Sequence, residues 1–558
     1  MPSGLSPIDC PPFDLSASQN ALQQLLFRPL PDRPALAQWI DDWSVCYDRL
    51  EEARIRREIA KDQAQNDQAV QQRHQDWIDR IGPALAPLLA QFHQRLATHP
   101  LINQLAPCYH RLVQQAAAQT DLYHPQNKTS IAACQHLVDQ YYQMRGDQQE
   151  SCDWPHPDRG RRQSTFKAQE QRRHRDGEQL DELVGQLLGH RQQMAENAGQ
   201  VDFRAYRFVE MQRTAYSPQD CLGWATAVEE AALPLLHRLD RARTQRLQLQ
   251  RLKPWDVRAE PATNAGPMRP FDNFADLLEG LRPILHKLHP RFAADLNLLR
   301  QRQLLDIEPR PGKAAFVGYQ QVLRQEGLPF LFVNVKPTPD SARNLLHELG
   351  HASHTLACRH QRPTWNRDVP LEFGETVANT FQLIGGGLLA GHLLPPASDA
   401  PARAEQLEGL VDNLVYTARG EQMLHWLHTH PGHTPDERAA YWLALCQRLD
   451  RQVDWSGLEH FRARSWLYEI PHFFFAPFYW IEYLIGQWGA LQLWQRFRRD
   501  PEEAMAGLYR AMQLGHSVPL PELFSSAGIS LYPSRQSLVQ VLAAVEAEWQ
   551  DLMKPEDP

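Results

Sequence analysis

Two histidines and a glutamate in the stretch His347–His351 have the types and spacing of a metal-dependent hydrolase. The stretch reads H-E-L-G-H within a sequence of helical character. Residues four apart lie on one face of a helix at successive turns, so the two imidazoles can bind one Zn²⁺. Glu348 points about 100° away, where it can reach a metal-bound water without binding the metal. The alternative is a chance histidine pair on a solvated helix face.

Two histidines leave a hydrolytic zinc site incomplete, because such sites usually have three protein ligands and one water. One class of zinc peptidase supplies a third histidine in the pattern H-E-x-x-H-x-x-G-x-x-H. This chain has His354 in place of that glycine and Ala357 in place of that histidine, which excludes the class. The remaining common solution is a glutamate from a following helix.

Two glutamates in the next predicted helix, Glu372 and Glu375, are candidates for that ligand. Asp368 is predicted to cap this helix, and Pro370 is predicted to lie in its first turn. The glutamates are three residues apart and share a helix face. One could bind the metal while the other orients a ligand histidine. From these residues alone, two surface glutamates attracted by the helix dipole are equally compatible with the pattern.

The composition is that of an ordinary globular protein. Of the 558 residues, 42% are hydrophobic and 22% are charged, and the net charge of −8 argues mildly against a nucleic-acid surface. Eight cysteines without a C-x-x-C pair indicate reduced thiols. Residues 1–7 lack the features of a signal peptide, and the apolar window Phe473–Trp494 is too interrupted to span a membrane. We therefore expect a cytoplasmic protein without membrane contact.

Apolar residues recur at three- and four-residue spacing through most of the chain, which predicts helices. These lie at about residues 48–78, 84–98, 178–198, 220–250, 403–428 and 535–553. Ser217 is predicted to cap the helix near residue 220. Prolines and a run of arginines predict a loop or a hinge-like region at residues 150–177. The triple glycine Gly385–Gly387 predicts a helix break.

Two short strands are predicted just before the histidine motif. Residues 314–319 and 330–335 are aromatic and β-branched, and Gly327–Pro329 supplies a turn between them. A small sheet should therefore lie beside the helix that carries the histidines. Its edge could hold an extended peptide by backbone hydrogen bonds.

The segment His347–His354, followed by Gly374–Asn379, resembles the oligoendopeptidase F and thimet oligopeptidase family of zinc metallopeptidases. The resemblance implies that Glu375 is the third zinc ligand. The chain departs from the family pattern at Gln382, where the family often has a glutamate, and at Gly385–Gly387, where the family helix usually continues.

The resemblance extends over about residues 180–530. It also rests on residues 204–208, 213–217, 252–256, 311–316, 471–483, 515–517 and 521–524. It implies a mainly α, two-lobed helical zincin with a small sheet beside the active-site helix and a deep substrate channel. We accordingly predict an N-terminal helical region at residues 1–177 and a catalytic domain at residues 178–558.

The segment Pro471–Tyr483 is similar to the family's active-site histidine and tyrosine segment. A phenol or imidazole donor beside the oxyanion stabilises the transition state more than the ground state. His472, Tyr479 and Tyr483 are seven and four residues apart, which on one helix places them on roughly one face. They are therefore candidates for stabilising the oxyanion or holding the substrate, the alternative being packing in the core.

These observations predict a zinc-dependent endopeptidase for short oligopeptides. His347, His351 and Glu375 would bind one Zn²⁺, and Glu348 would take a proton from the activated water and pass it to the leaving amine. The same ligands can also bind Co²⁺ or Mn²⁺. The alternatives are a zinc carboxypeptidase or another peptide hydrolase on this scaffold, and a helical binding protein that has lost catalysis.

Overall fold

The computed structural model describes residues 8–146, 156, 158–259, 269–315 and 318–554. This part of the chain is mainly helical, as the periodicity predicts. The α-helices are Leu15–Leu26, Arg33–Gln63, Gln68–Asp76, Gly82–Ala97, His110–Leu122, Asn127–Gly146, Arg159–Asn197, Phe203–Glu210, Pro218–Arg246, Phe274–Leu288, Pro290–Gln301, Pro339–Cys358, Leu371–Thr380, Asp399–Thr429, Pro435–Arg448, Glu459–Arg462, Trp466–Glu469, His472–Phe475, Trp480–Arg499, Pro501–Leu514, Leu520–Ser526 and Arg535–Leu552. Short 3₁₀ segments are Ile102–Gln104, Pro107–Tyr109, Pro254–Asp256, Thr364–Arg367 and Pro396–Ser398, and π-helical turns are Trp77–Ile81 and Phe381–Gly385.

The helices predicted from the periodicity are all present, with displaced ends. The predicted helix at 48–78 is divided in two, because the chain leaves the first helix at Ala64 and Asp67 caps the second. The predicted cap at Ser217 is confirmed: its hydroxyl accepts from the Asp220 amide, and the Asp220 carboxylate accepts from the Ser217 amide. The capping residues thus locate a helix start more accurately than the apolar repeat does.

The predicted loop at residues 150–177 is wrong for its described part beyond Asp158. The helix Arg159–Asn197 begins there and passes through residue 177 without a break. Asp158 caps it by accepting from the Arg161 amide. Arg159 and Arg162 both pair with the buried carboxylate of Asp256, so these arginines stabilise a packed helix and are not part of a solvated loop. Residues 147–155 and 157 lie outside the described part.

A three-stranded sheet lies beside the histidine motif, as predicted. Its strands are β1 (Leu305–Asp306), β2 (Tyr319–Leu323) and β3 (Leu328–Phe332), in the spatial order β1-β3-β2. β3 pairs in parallel with β1 and in antiparallel with β2, with Leu305 opposite Leu331. Every residue of β3 is buried, and the strand packs against the helix Pro339–Cys358. The sheet therefore packs against one side of the helix that carries the histidines.

Both predicted strands are out of position, and β1 is missing from the prediction. The hairpin turn contains Gly327 with a φ of 62°, and pairing begins directly beyond it at Leu328. Before β2, the chain forms a turn in which the Ala314 amide donates to the carbonyl of Asp62, in the helix Arg33–Gln63, so this part does not pair as a strand. Residues 316 and 317 of the first predicted strand lie outside the described part. β1 has only two residues, which are too few to show the alternation of apolar and polar residues that predicts a strand.

A smaller apolar core joins the N-terminal helices to the connection that follows the helix Pro339–Cys358. Trp43 and Phe92 of the N-terminal helices are fully buried in it. Trp365, from the connection, lies in the same core with its ring centroid 4.7 Å from that of Trp43. Thr364 of the connection donates a 2.5 Å hydrogen bond to Asp48. The N-terminal helices thus contact the segment between the helices Pro339–Cys358 and Leu371–Thr380.

No helix in the described ranges is long and apolar enough to cross a membrane.

Candidate metal centre

Three helices meet at the histidine motif, and we call them by the residues they carry. The motif helix is Pro339–Cys358, the glutamate helix is Leu371–Thr380 and the tyrosine helix is Trp480–Arg499. Glycines allow the glutamate helix to approach both neighbours. A Cβ at Gly350 would lie 2.8 Å from the Ala378 Cα, and one at Gly486 would lie 2.6 Å from the Glu375 Cβ.

The predicted ligands His347, His351 and Glu375 come together where these helices meet. The distance from His347 Nε2 to Glu375 Oε2 is 3.5 Å, and that from His351 Nε2 to Glu375 Oε1 is 3.8 Å. One potential ligand atom from each residue lies within 4.8 Å of the other two. Ligands about 2.0–2.2 Å from a tetrahedral zinc ion would be about 3.3–3.6 Å apart. The trio therefore has the chemistry and the spacing of a site for one such ion.

Burial sets the charge of these three side chains. It lowers the pKa of His347 and lowers that of His351 further, so both imidazoles are neutral at pH 7 and each has a nitrogen lone pair. Glu375 is 2% exposed, and burial raises its pKa to about 7 against the opposing effect of a hydrogen bond from Tyr479. A buried carboxylate beside two imidazole nitrogens is stabilised by a cation, which this donor set fits.

Gln382 orients one of the two histidines. Its Oε1 lies 3.2 Å from Nδ1 of His347, and its Nε2 donates to Oδ1 of Asn344 at 3.3 Å. Because the amide nitrogen is engaged by Asn344, the oxygen faces the ring and accepts from Nδ1–H. This leaves Nε2 of His347 unprotonated and directed at Glu375. The sequence marked Gln382 only as a departure from a family pattern. Its contact with His347 depends on the π-helical turn Phe381–Gly385, which contains Gln382.

Glu348 lies beside the trio without joining it. Its side chain is half-buried, and burial, with a further contribution from Glu375, raises its pKa to about 7 against the effect of His347. Among the described residues it accepts no hydrogen bond. A carboxylate with such a pKa can gain and lose a proton near neutral pH, which a general base requires.

The three predicted substrate-facing residues cluster, although they do not share one helix as the spacing suggested. His472 begins the short helix His472–Phe475, Phe478 has a φ of 65°, and Tyr479 immediately precedes the tyrosine helix. The Tyr483 hydroxyl lies 2.9 Å from Nε2 of His472. Tyr479 donates a 2.6 Å hydrogen bond to Oε1 of Glu375. Burial lowers the pKa of His472 to about 4, so its ring is neutral.

Glu372 does not contact a ligand histidine, contrary to one interpretation of the glutamate pair. Its Oε1 accepts a 2.6 Å hydrogen bond from the hydroxyl of Tyr216. The predicted cap at Asp368 is also wrong, because Asp368 is engaged by Arg324 and Pro370 occupies the N-cap position without a side-chain bond. A nearby guanidinium therefore competes successfully with the helix terminus for this carboxylate.

A second group of potential ligands, Cys221, Glu421 and His425, is buried and has ligand atoms within 4.8 Å of one another. Its histidine is already engaged on both sides. Arg204 Nη1 lies 3.3 Å from Nδ1, which must accept, so Nε2–H is left to donate to Glu421 Oε1 at 2.9 Å. No imidazole lone pair remains for a cation. The sequence did not mark this group, because Cys221 lies about 200 residues before Glu421 and His425.

The chain has relatives among known protein families and curated proteins. The family model described as Peptidase family M3 matches residues 155–540. The chain is 22% identical over 321 residues to an oligoendopeptidase F homolog from Lactococcus lactis subsp. lactis (strain IL1403), covering 54% of this chain and 49% of that protein. It is 22% identical over 307 residues to the group B oligopeptidase PepB of Streptococcus agalactiae serotype III (strain NEM316), with the same coverage. The chain thus spans about half the length of these curated relatives.

Solved structures share the fold over nearly the whole chain. The structure of PZ peptidase A with an inhibitor has a TM-score of 0.90 at 20% identity and covers 98% of this chain and 99% of its own. The oligoendopeptidase F structure from Enterococcus faecium has a TM-score of 0.64 at 15% identity, with coverage of 96% and 97%. At these identities the likeness establishes the fold.

Proposed function

The chain belongs to peptidase family M3, and we propose that it is a zinc-dependent endopeptidase that hydrolyses short oligopeptides. The convergence of His347, His351 and Glu375 on one point, with Glu348 beside them, carries the proposal. An inactive binding protein would have no need to bury this set of ligands together with a carboxylate of raised pKa.

The three ligand side chains would hold one Zn²⁺. A bound zinc ion supplies Lewis-acid activation of a water molecule and of the scissile carbonyl. The chain's own part is to keep both imidazoles neutral by burial and to fix the His347 ring through Gln382. Two nitrogen ligands and one carboxylate favour zinc among common divalent ions, although cobalt and manganese also bind such sets.

Glu348 would act as the general base. Its carboxylate accepts a proton from the attacking water and returns it to the amine of the leaving peptide. Two features of its surroundings support this role. Burial raises the pKa of this carboxyl, so that it holds a proton more readily than an exposed glutamate does, and no described donor competes for its oxygens.

Tyr483 and His472 would stabilise the developing oxyanion. The Tyr483 hydroxyl is hydrogen-bonded to Nε2 of the neutral His472 ring. If Nε2–H donates in this bond, the Tyr483 O–H is left for a carbonyl oxygen; if the hydroxyl donates, Nδ1–H of His472 is the remaining donor. Tyr479 has a different immediate partner, Glu375, so its role would be to hold a ligand. Burial raises the pKa of Tyr483, and Glu375 and Glu348 raise it further, which supports its place near the base and the ligand.

The substrates would be short peptides in extended form. β2 is an edge strand next to the buried β3, and such an edge can pair with a few residues of an extended chain. The N-terminal helical region, proposed as residues 1–177, would restrict access to the catalytic domain, proposed as residues 178–558, through a channel between two lobes. A folded protein would have to unfold at a cost of about 5–15 kcal/mol before entering.

An internally quenched peptide blocked at both ends tests the proposal. We expect cleavage at an internal bond, loss of cleavage after metal removal with a chelator, and recovery on addition of about one equivalent of zinc. Cleavage only of peptides with a free carboxyl end would indicate a carboxypeptidase. No cleavage of any peptide by the zinc-loaded protein would indicate a binding protein.

A further inference from the structure

The chain bends sharply between His472 and the tyrosine helix. We call residues Phe474–Phe478 the tyrosine bend, since it links His472 to Tyr479 and Tyr483. A short helix ends within it, and Phe478 adopts a φ of 65°, a region that residues with side chains rarely occupy. Carbonyl groups at the end of a helix and in such a bend lack the partners that a continuous helix provides.

Three arginines supply those partners. Arg191 Nη2 donates to the Phe474 carbonyl at 2.7 Å, and Arg207 Nε donates to the Pro477 carbonyl at 3.2 Å. Arg213 Nη2 donates to the carbonyl of Phe478. The arginines lie within 23 residues of one another in sequence, and each contacts a different carbonyl of the bend. All three act on a segment more than 260 residues away.

One of these cations, Arg191, is buried without an ion pair in the part of the chain that the structure describes. Arg191 is 4% exposed, and among the described residues no carboxylate pairs with it. Its guanidinium lies over the rings of Phe473, at 4.9 Å, and Phe203, at 5.5 Å. Burial lowers its pKa to about 10, so it stays charged at pH 7. A buried cation satisfied by a carbonyl and two rings is costly, whereas a neutral side chain would pack there without that cost.

Arg213 connects the bend to the tyrosine helix itself. The same nitrogen that donates to the Phe478 carbonyl donates to Oε1 of Glu482, and both side chains are 1% exposed. Glu482 is adjacent to Tyr483. The guanidinium thus bridges the left-handed residue of the bend and the helix turn that presents the phenol.

We infer that Arg191, Arg207 and Arg213 are positioning residues that hold the tyrosine bend so that Tyr483 and His472 remain in contact beside the metal centre. The effect of these contacts on catalysis rests on the proposed function. If the bend relaxed, the segments that carry His472 and Tyr483 could move apart, and the contact between the ring and the hydroxyl would be lost. Displacement of an oxyanion donor by even about 1 Å can cost up to about 100-fold in rate.

Arg207 offers the sharpest test, because Arg204 on the same helix is a matched control. Both side chains are 24% exposed, but Arg204 contacts Asp202 and His425 and donates to no carbonyl of the bend. We expect Arg207→Met to lower kcat about 10-fold with KM changed less than about 2-fold, and Arg204→Met to leave both nearly unchanged. Glu210→Gln removes the ion pair of Arg207 but not its bond to Pro477, and should also leave kcat nearly unchanged.

A double mutant separates positioning from general destabilisation. In a Tyr483→Phe background, Arg207→Met should lower kcat clearly less than it does in the wild type, because one of the two donors that the bend positions is already absent. An equal loss in both backgrounds, or a lower melting temperature with unchanged kcat, would overturn the inference. If Arg207→Met does not fold, Arg207→Lys keeps the charge and loses the planar Nε donor, and the same outcomes apply.

Hydrogen exchange tests the bend without reference to activity. Amide exchange measured by mass spectrometry over residues 470–483 should be faster in Arg207→Met than in the wild type and in Arg204→Met. Equal exchange in all three proteins would overturn the inference. A wild-type protein that hydrolyses no peptide while showing the expected exchange difference would contradict the proposed function alone.

Discussion

The hydroxyl of Tyr479 donates a 2.6 Å hydrogen bond to Oε1 of Glu375, the carboxylate that faces both motif histidines. The bond fixes the carboxylate and lowers its pKa, against the larger effect of burial. A tyrosine expected from sequence to face the substrate thus contacts a candidate metal ligand.

Tyr479→Phe should therefore weaken metal binding. Without the phenol, the Glu375 carboxylate can turn away and is more readily protonated, so zinc affinity should fall about 10- to 100-fold. Tyr483→Phe is the matched control, because Tyr483 bonds to His472 and to no ligand. It should lower kcat and leave zinc affinity unchanged. Competition with a chelator measures both affinities; equal affinities in the two variants would contradict the assignment.

The close approach of Gly486 to Glu375 predicts that a larger residue at position 486 also weakens metal binding. In Gly486→Ala, the new methyl group would lie 2.6 Å from the Glu375 Cβ and 2.8 Å from its main-chain carbon, so the glutamate helix must shift. We expect weaker zinc binding and a lower melting temperature. Gly409→Ala is the control, since nothing lies within 4 Å of its Cβ and the change should stabilise the helix by up to about 1 kcal/mol. Unchanged zinc affinity in Gly486→Ala would show that helix spacing does not set the ligand position.

The contact between Gln382 and His347 predicts that different substitutions of Gln382 lower zinc affinity to different extents. Gln382→Ala removes the acceptor for His347 Nδ1–H and should lower zinc affinity about 10-fold or more. Gln382→Glu keeps an acceptor at that position and should restore most of the affinity. Thr226→Ala, an exposed change on a distant helix, serves as the control. If Gln382→Ala binds zinc as the wild type does, the ring is held by something other than this bond.

Burial of His428 predicts loss of stability in acid. The ring is packed against Phe203, Phe473 and Phe478, and burial lowers its pKa to about 3. The unfolded chain binds a proton below about pH 6.5, so the unfolding free energy must fall as the pH decreases from there towards 3. Between pH 7.5 and 4.5 this residue should account for about 2–3 kcal/mol.

The comparison that checks this is chemical unfolding of His428→Phe at the two pH values. The variant should lose about 2 kcal/mol less than the wild type on acidification. His360→Phe, at an exposed position, should lose as much as the wild type. An unchanged pH dependence in His428→Phe would mean that this ring does not contribute to acid sensitivity.

The local features of the site could be predicted from sequence, and the long-range ones could not. His347 and His351 follow from a four-residue spacing on one helix, which needs no knowledge of the fold. Glu375 could be separated from Glu372 only by resemblance to a family, because both lie on one helix face. The contact of Gln382 depends on a π-helical turn that no local pattern indicates.

The same division holds for the fold. Apolar periodicity located the helices, while caps set their ends. The arginine run after residue 158 was misread because its partner, the buried Asp256, lies about 95 residues away. The separation of His472 from Tyr483 by a bend depends on Phe478, whose left-handed conformation is held by tertiary contacts. A periodic pattern cannot anticipate contacts of this range.

Glu348→Gln tests most directly whether the chain is a metal-dependent hydrolase with a glutamate base. The substitution preserves size and removes the ability to take a proton, while His347, His351 and Glu375 remain. Metal content and turnover of a blocked, internally quenched peptide should be measured on the same zinc-loaded preparation. We predict near-full zinc occupancy and a fall in kcat of about 10³-fold. Wild-type turnover, or loss of the zinc, would contradict the role of Glu348.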